Sequence, residues 1–554
     1  MNKLRKIWSV LSASERYAVS TAAAIFIFAF VLNNILMAWE RSIDAPLAGG
    51  NYKEGIIGQP TFINPVISGT NDADRDLIRL IFSNVIDLSE SANASENGRI
   101  WTVRLKENLF WHDGEPLTSD DIIFTINSIQ DPDSNSPLFR TWQGVVAERV
   151  SSRELRLVTR TPYAFFENNL RELFIIPKHI FADVPPANFK LSDYNLKPLG
   201  SGPFQFVNFE TRRDGFITHL ALKRNEEYIG EMPLIENLIL KFYSDEDRII
   251  NALNNRQIDG FGGIDPMNLN KIKIRHDLRE ISMPRYYAVF FNADSNPALN
   301  DKNVRLALRQ ATDKSVLVNN VLDGHGKVSH GPLLADMEGF GKDIYTETEF
   351  SIEKAAAILE AGGWLPDEED EGVRARELKQ GIVKLNFVMV VPQIDFLVKT
   401  AQILKDDWLK IGARLNVVML DPRGIVSERI RARDYEMLMF GNILNSVPDL
   451  FSFWHSSEKY YPGLNLSLYD SRTADALLES IREDADPERR AGDLNALQSV
   501  IYNDAPAIFL YSPDYLYVSV PFLGGFDDSF ITTPSHRFDR VEQWHTKSVR
   551  LLQF

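Results

Sequence analysis

Leu105-Lys-Glu-Asn-Leu-Phe-Trp-His-Asp-Gly-Glu-Pro-Leu-Thr-Ser-Asp-Asp-Ile-Ile-Phe-Thr125 carries the chain from the end of one strand to the start of a helix. Ahead of it, Trp101-Thr-Val-Arg-Leu105 alternates apolar and polar residues, as a strand with one buried face must. At its far end Thr118-Ser-Asp-Asp121 offers a hydroxyl cap and first-turn acids, and Ile122, Ile126 and Ile129 follow on one helical face. The same grammar recurs downstream. Asp301 can cap a helix carrying Val304, Ala307, Leu308 and Ala311, and Ser351 one carrying Ile352, Ala355, Ala356 and Leu359, stopped by Gly362-Gly363. Leu397, Ala401, Leu404, Trp408 and Ile411 form a third stripe, ended by Gly412. A strand, Ala413 to Leu420, a helical stretch around Ser427 to Arg433 and an apolar strand, Tyr435 to Gly441, follow. Helices and strands mixed in this order predict an α/β architecture with helices packed on a sheet.

A chain of 554 residues exceeds what one hydrophobic core accommodates, so two or three lobes are expected. The net charge of −16, without a basic cluster beyond the first residues, argues against a nucleic-acid partner, because phosphate binding needs a concentrated positive face. The absence of cysteine removes disulfides, thiolate metal sites and cysteine nucleophiles.

Lys3, Arg5, Lys6 and Arg16 precede an apolar run from Ala18 to Trp39, long enough to cross a bilayer. Basic residues before it and Glu40 and Asp44 after it orient a single pass, with the N-terminus cytoplasmic and the body extracytoplasmic. A cleaved signal peptide is the competing reading. The length of the run and the poor cleavage site at Leu36-Met37-Ala38 favour an uncleaved anchor. The expected layout is a basic cytoplasmic segment (1–17), an anchor (18–39), a linker (40–52) and then the body.

No catalytic constellation emerges. The nine histidines are scattered and none forms a His-Glu-x-x-His pair, His325 and His330 lie in a Gly-containing turn, and Gly200-Ser-Gly-Pro203 is a turn rather than a nucleophile elbow. No phosphate-cradling loop is present. The acidic run Pro366 to Gly372 lacks the ligand spacing of a calcium loop and reads as a solvated loop. No enzyme activity, metal or cofactor is expected. Aromatic residues gather instead near turns, at Arg285 to Asn292, Phe451 to His455 and Ile508 to Pro513; a small-molecule pocket needs such a wall, but most of these residues read equally as the core of strands.

Taken in order, Gln59 to Pro65, Leu105 to Thr125, Gly200 to Phe206 with Leu222 to Tyr228, Phe291-Asn292 with Asp301 to Lys314, and Ala356 to Trp364 resemble the family 5 extracellular solute-binding proteins, the peptide and nickel type serving ABC importers. The resemblance implies a bilobed, type II periplasmic-binding-protein (venus-flytrap) fold with an extra subdomain in lobe I. Lobe I would span 53–285 with the insert at about 72–196, lobe II 286–504, and 505–554 would return to lobe I. The crossovers would fall near Ile281 to Phe291 and Ala505 to Tyr511. It further implies a monomer that captures oligopeptides or peptide-like solutes between the lobes and docks on ABC permease subunits. A sensor or chaperone-like protein on the same fold is the alternative.

The same resemblance nominates Tyr511, Asn442, Asp449, Trp454, Ser68, Thr70 and Tyr287 as ligand-binding residues. Tyr286 and Tyr287 alternate in facing, so at most one of them can point to the cleft. Two departures from the family pattern stand out. The segment between Asn84 and Trp101 is shortened, and Leu444 stands where peptide-binding members place an Asp for the peptide ammonium, ahead of the Asn445-Ser-Val-Pro-Asp449 turn.

Overall fold

The computed structural model describes residues 8, 10, 12–40, 42–345, 350–379, 381–445 and 447–552. Lys3, Arg5 and Lys6, on which the orientation of the N-terminal helix rests, lie outside the described residues, as does Ser446 of the 445–449 turn. The helix itself runs Ala13–Glu40, longer than the expected span. Its Ala13–Asn34 stretch is long and apolar enough to cross a membrane, and none of it is buried against the body. The segment expected as a plain linker holds a strand, Ser42–Pro46, paired antiparallel with Ser548–Leu552 at the far end of the described chain.

Two large sheets organise the body. The lobe I sheet has seven strands, in the order Asp277–Ile281, Tyr515–Ser519, Gly260–Gly262, Asn51–Ile57, Asn237–Tyr243, Ile217–Arg224 and Phe204–Thr211. The lobe II sheet has six, in the order Gly326–Val328, Ala507–Pro513, Arg285–Phe291, Met437–Ile443, Asn386–Pro392 and Arg414–Leu420. Between Ile57 and Phe204 lies inserted structure built on a four-stranded antiparallel sheet of Ser89–Ser95, Ile100–Leu105, Glu154–Val158 and Val146–Ser151. The 84–101 segment, expected to be shortened, is structured throughout its length there: Asn84 caps the short helix Val85–Leu88, and Ser89–Ser95 forms an edge strand.

Local chemistry explains the helices. Thr118 and Asp121 form a capping box on Ser119–Gln130, and Ile122, Ile126 and Ile129 are fully buried. Asp301 and Ser351 cap Lys302–Gln310 and Ile352–Ala361, and Gly363 takes the left-handed conformation that ends the second. Gly200 and Gly202 are required by close approach, since a Cβ on either would strike the backbone of Ile81 at 2.0 and 2.7 Å. The acidic run at 367–370 is held by ion pairs, Asp367 to Lys384 and Asp370 to both terminal nitrogens of Arg414.

The strand Arg285–Phe291 lies in the middle of the lobe II sheet, which is covered on both faces, so it is apolar on both. Val289 and Phe291 join the core under Lys302–Gln310 and Asp395–Lys410, whereas Tyr286, Ala288 and Phe290 join the core under Arg472–Glu483 and Pro487–Asp504.

The chain passes between the sheets twice. The first crossover is Ser282–Pro284, between Asp277–Ile281 and Arg285–Phe291, inside the expected interval. The second is Asp514 alone, between Ala507–Pro513 in lobe II and Tyr515–Ser519 in lobe I. It falls beyond the expected Ala505 to Tyr511, because that stretch pairs with Arg285–Phe291 and remains in the lobe II sheet.

Candidate ligand-binding cleft

In both lobes parallel strands direct their carboxyl ends toward the junction. Asn51–Ile57 is parallel to Asn237–Tyr243 and Gly260–Gly262, and Asn386–Pro392 is parallel to Arg414–Leu420 and Met437–Ile443. Ligand crevices of open α/β sheets form at such ends. A cavity of about 490 Å³ opens there, bordered by Ile57, Glu246 and Asp265 from lobe I and by Arg285, Tyr287 and Phe396 from lobe II. A second cavity, of about 410 Å³, is walled by lobe I and its insert. It does not lie between the lobes, and on its wall Arg79 pairs with Glu172 at 3.0 Å and His536 with Glu172 at 2.9 Å. The interlobe cavity is therefore the candidate cleft.

Its lobe I floor is a buried ion network. Arg537 donates through Nε to Glu54 at 3.0 Å and through both terminal nitrogens to Asp76 at 2.9 and 2.6 Å, and Tyr517 donates to Glu54 at 2.7 Å. Burial pushes the Glu54 carboxyl up to about 7 against the pull of Arg537. Burial also works against the charge of Arg537, yet Asp76 and Glu54 beside it hold it well above the ordinary guanidinium value. Gly262, in the cavity wall, leaves room for the Tyr515 hydroxyl, which a Cβ there would meet at 2.0 Å.

On the lobe II wall, Tyr287 meets Phe396 edge to face at 5.0 Å. Tyr511 lies directly behind, fully buried, its ring 6.0 Å from Tyr287 and its hydroxyl 2.7 Å from that of Thr400. Of the seven nominated residues, Tyr287 alone borders the cavity. Asn442 and Trp454 belong to the opposite face of the sheet: Asn442 donates to the Tyr286 hydroxyl at 3.0 Å, and Trp454 is fully buried among Phe290, Tyr469 and Phe509. Leu444 is buried on that side too, and its N–H donates to the carbonyl of Pro284 in the first crossover. Ser68 is half-buried and Thr70 exposed in the loop before the helix Asp72–Ile81.

Asp449 does other work. Its Oδ2 accepts from Tyr163 of the lobe I insert at 2.8 Å and from Arg482 of lobe II at 3.1 Å. The N–H of Ala164 donates to the Arg482 carbonyl at 2.7 Å, the Arg482 guanidinium lies 4.3 Å from the centre of the Phe451 ring, and Phe165 packs into a lobe II core. Burial and the adjacent Asp449 push the Tyr163 hydroxyl up, keeping it a protonated donor. The insert thus closes on lobe II through a carboxylate fork.

Arg285, Phe396, Asp76 and Arg537 were not foreseen in the cleft. Arg285 was within reach: if Tyr287 faces the cleft, strand alternation turns Arg285 the same way.

The sequence profile for bacterial extracellular solute-binding proteins, family 5 (middle region), matches residues 85–462. The oligopeptide-binding protein AppA of Bacillus subtilis is 27% identical over 504 residues, 86% of this chain and 88% of that protein. The crystal structure of the ABC transporter substrate-binding protein CtaP of Listeria monocytogenes superposes with a TM-score of 0.77 at 26% identity, covering 90% of this chain and 100% of that one. The structure of B. subtilis AppA in complex with a nonapeptide gives 0.70 at 26% identity, over 90% and 99% of the two chains. Bilobed α/β architecture, two crossovers, a cavity between the lobes and a profile match over most of the chain converge: the protein belongs to the family 5 bacterial extracellular solute-binding proteins, the substrate-binding components of ABC transporters.

Proposed function

We propose that the chain captures oligopeptides or peptide-like solutes in the interlobe cleft and hands them to an ABC permease, as a monomer held at the membrane by its N-terminal helix. The observation that carries this reading is the cavity at the carboxyl ends of both sheets, bordered by both lobes and spanned by two short crossovers. Such a junction lets the lobes hinge around a solute. Relatives named for oligopeptide and dipeptide binding support the solute class. A binding protein tethered beside its permease gains effective concentration, which favours an uncleaved helix over a released body. The N-terminus would lie in the cytoplasm and both lobes outside.

Native mass spectrometry of the full chain, extracted in mild detergent and then denatured to release what co-purified, tests this. A ladder of short peptides is the expected result. A single non-peptide species would keep the binding fold and reassign the solute.

A further inference from the structure

Arg285 opens the first lobe II crossover strand, directly after Pro284, and borders the interlobe cavity together with Tyr287. Its Nε is buried without a hydrogen-bond partner, and none of the ion pairs among the described residues includes it. Arg285 and Tyr287 stand two residues apart on one strand, so both side chains take the face that borders the cavity, and the Arg285 charge opposes the burial that raises the Tyr287 hydroxyl. A guanidinium is permanently charged and carries five donors, so leaving part of it buried and unmet is costly.

The acids of the cavity do not meet it. Asp76 is taken by Arg537, Glu246 accepts from the Asp265 N–H at 2.8 Å and from Asn268 at 3.0 Å, and Asp265 caps the Met267 N–H at 2.9 Å. Asp72 and Asp514 also border the cavity, and neither pairs with Arg285. This wall therefore holds a buried guanidinium donor that the described residues leave unmet.

We propose that Arg285 seats a carboxylate of the bound solute. The solute's anionic end then lies beside Tyr287 and Phe396, and any positive charge it carries faces the acidic lobe I wall of Asp72, Glu246 and Asp265. The planar fork of arginine matches a carboxylate through two parallel hydrogen bonds, which no single ammonium reproduces. This assignment rests on the reading of the interlobe cavity as the ligand site and narrows it to carboxylate-bearing solutes.

The test uses the full chain in detergent and two libraries of short synthetic peptides, free of Asp and Glu and identical except for a terminal carboxylate or a terminal carboxamide. Retained peptides are counted by mass spectrometry. Wild type is expected to prefer the free acids by roughly 30-fold or more, the scale for truncating a buried charge partner. Arg285→Gln should lose that preference while melting like wild type, and Arg285→Lys should keep part of it. Equal retention of acids and amides by wild type, or an undiminished preference in Arg285→Gln, overturns the carboxylate seat and leaves peptide binding standing. If neither library is retained, the peptide reading fails and a panel of non-peptide carboxylates decides. A melting-temperature rise in wild type that is absent in Arg285→Gln sustains the seat, and no rise in wild type overturns it.

Discussion

Two arginines line the same cavity and differ in how they are met. Arg537 is fully enclosed by Glu54 and Asp76, which together take up its Nε and both terminal nitrogens. Arg285, on the opposite lobe, has a buried Nε that nothing among the described residues accepts from. Burying a paired charge and burying an unpaired one are opposite propositions. The first is held by its partners and costs most when one is removed; the second is tolerated when something outside the chain is meant to supply the partner. The same residue type therefore serves the lobe at one wall and the solute at the other.

The sharpest way to break that comparison is to remove each arginine in turn. Arg537→Met strands two buried carboxylates and should cost about 3–5 kcal/mol in denaturant unfolding, or prevent folding. Arg285→Gln removes a buried donor that is unmet in the unliganded chain, so it should cost no stability and can raise it slightly. Comparable losses for both would erase the distinction.

Acidity tests the enclosed side. With its carboxyl raised to about 7, Glu54 keeps a proton in the folded chain between about 4.5 and 7, where the unfolded chain has released it. Its contribution to stability is therefore fully present at the acid end of that window, shrinks as pH rises toward 7 and is level above it. The half-buried His112 and His330, both held at about 4 by desolvation, slope the opposite way up to their ordinary value near 6.5. The informative quantity is thus the difference between wild type and Glu54→Gln, measured by urea titration across this range. It should fall with rising pH and then flatten; a difference independent of pH would show that Arg537 keeps Glu54 ionised throughout.

The smallest effect expected lies at the third charged contact, the fork of Tyr163 and Arg482 on Asp449. Arg482 is partly exposed, so solvent weakens this contact. Tyr163→Phe should weaken lobe closure by about 1 kcal/mol, read as roughly fivefold faster release of a bound solute with unfolding nearly unchanged. An unchanged release rate would make this contact a passive seam.

What the sequence disclosed follows the range of the interactions. Caps and stripes are local, so Thr118, Asp301 and Ser351 and the faces they introduce were legible. Strands buried on both faces carry no alternation, so nothing in Ala507–Pro513 marked where lobe II ends, and the second crossover was read too early. The site suffered most. Parity along Arg285-Tyr286-Tyr287 separates two faces, but which face meets the cavity depends on neighbours far along the chain, so Tyr287 and Trp454 looked equally eligible. The floor network joins Glu54, Asp76 and Arg537 from three distant segments, and no spacing rule could have assembled it. The strand Ser42–Pro46 passed for a tether because its partner lies at the other end of the chain.

The crossovers, finally, restrict how the two lobes can move. On one path the chain offers Met283 and Pro284 after the bridging Ser282, and on the other Asp514 following Pro513. Proline has surrendered its φ torsion, and the residue before it is confined to extended conformations. Few soft torsions therefore connect the lobes, and those that remain lie side by side: Ser512 at the foot of one path donates to the carbonyl of Met283 on the other. Motion reduced to so few variables resembles the swing of a door more than the drift of a buoy. Solutes of different bulk would stop that swing at different angles along a single arc, so the angle between the lobes would report occupancy without reporting the cargo.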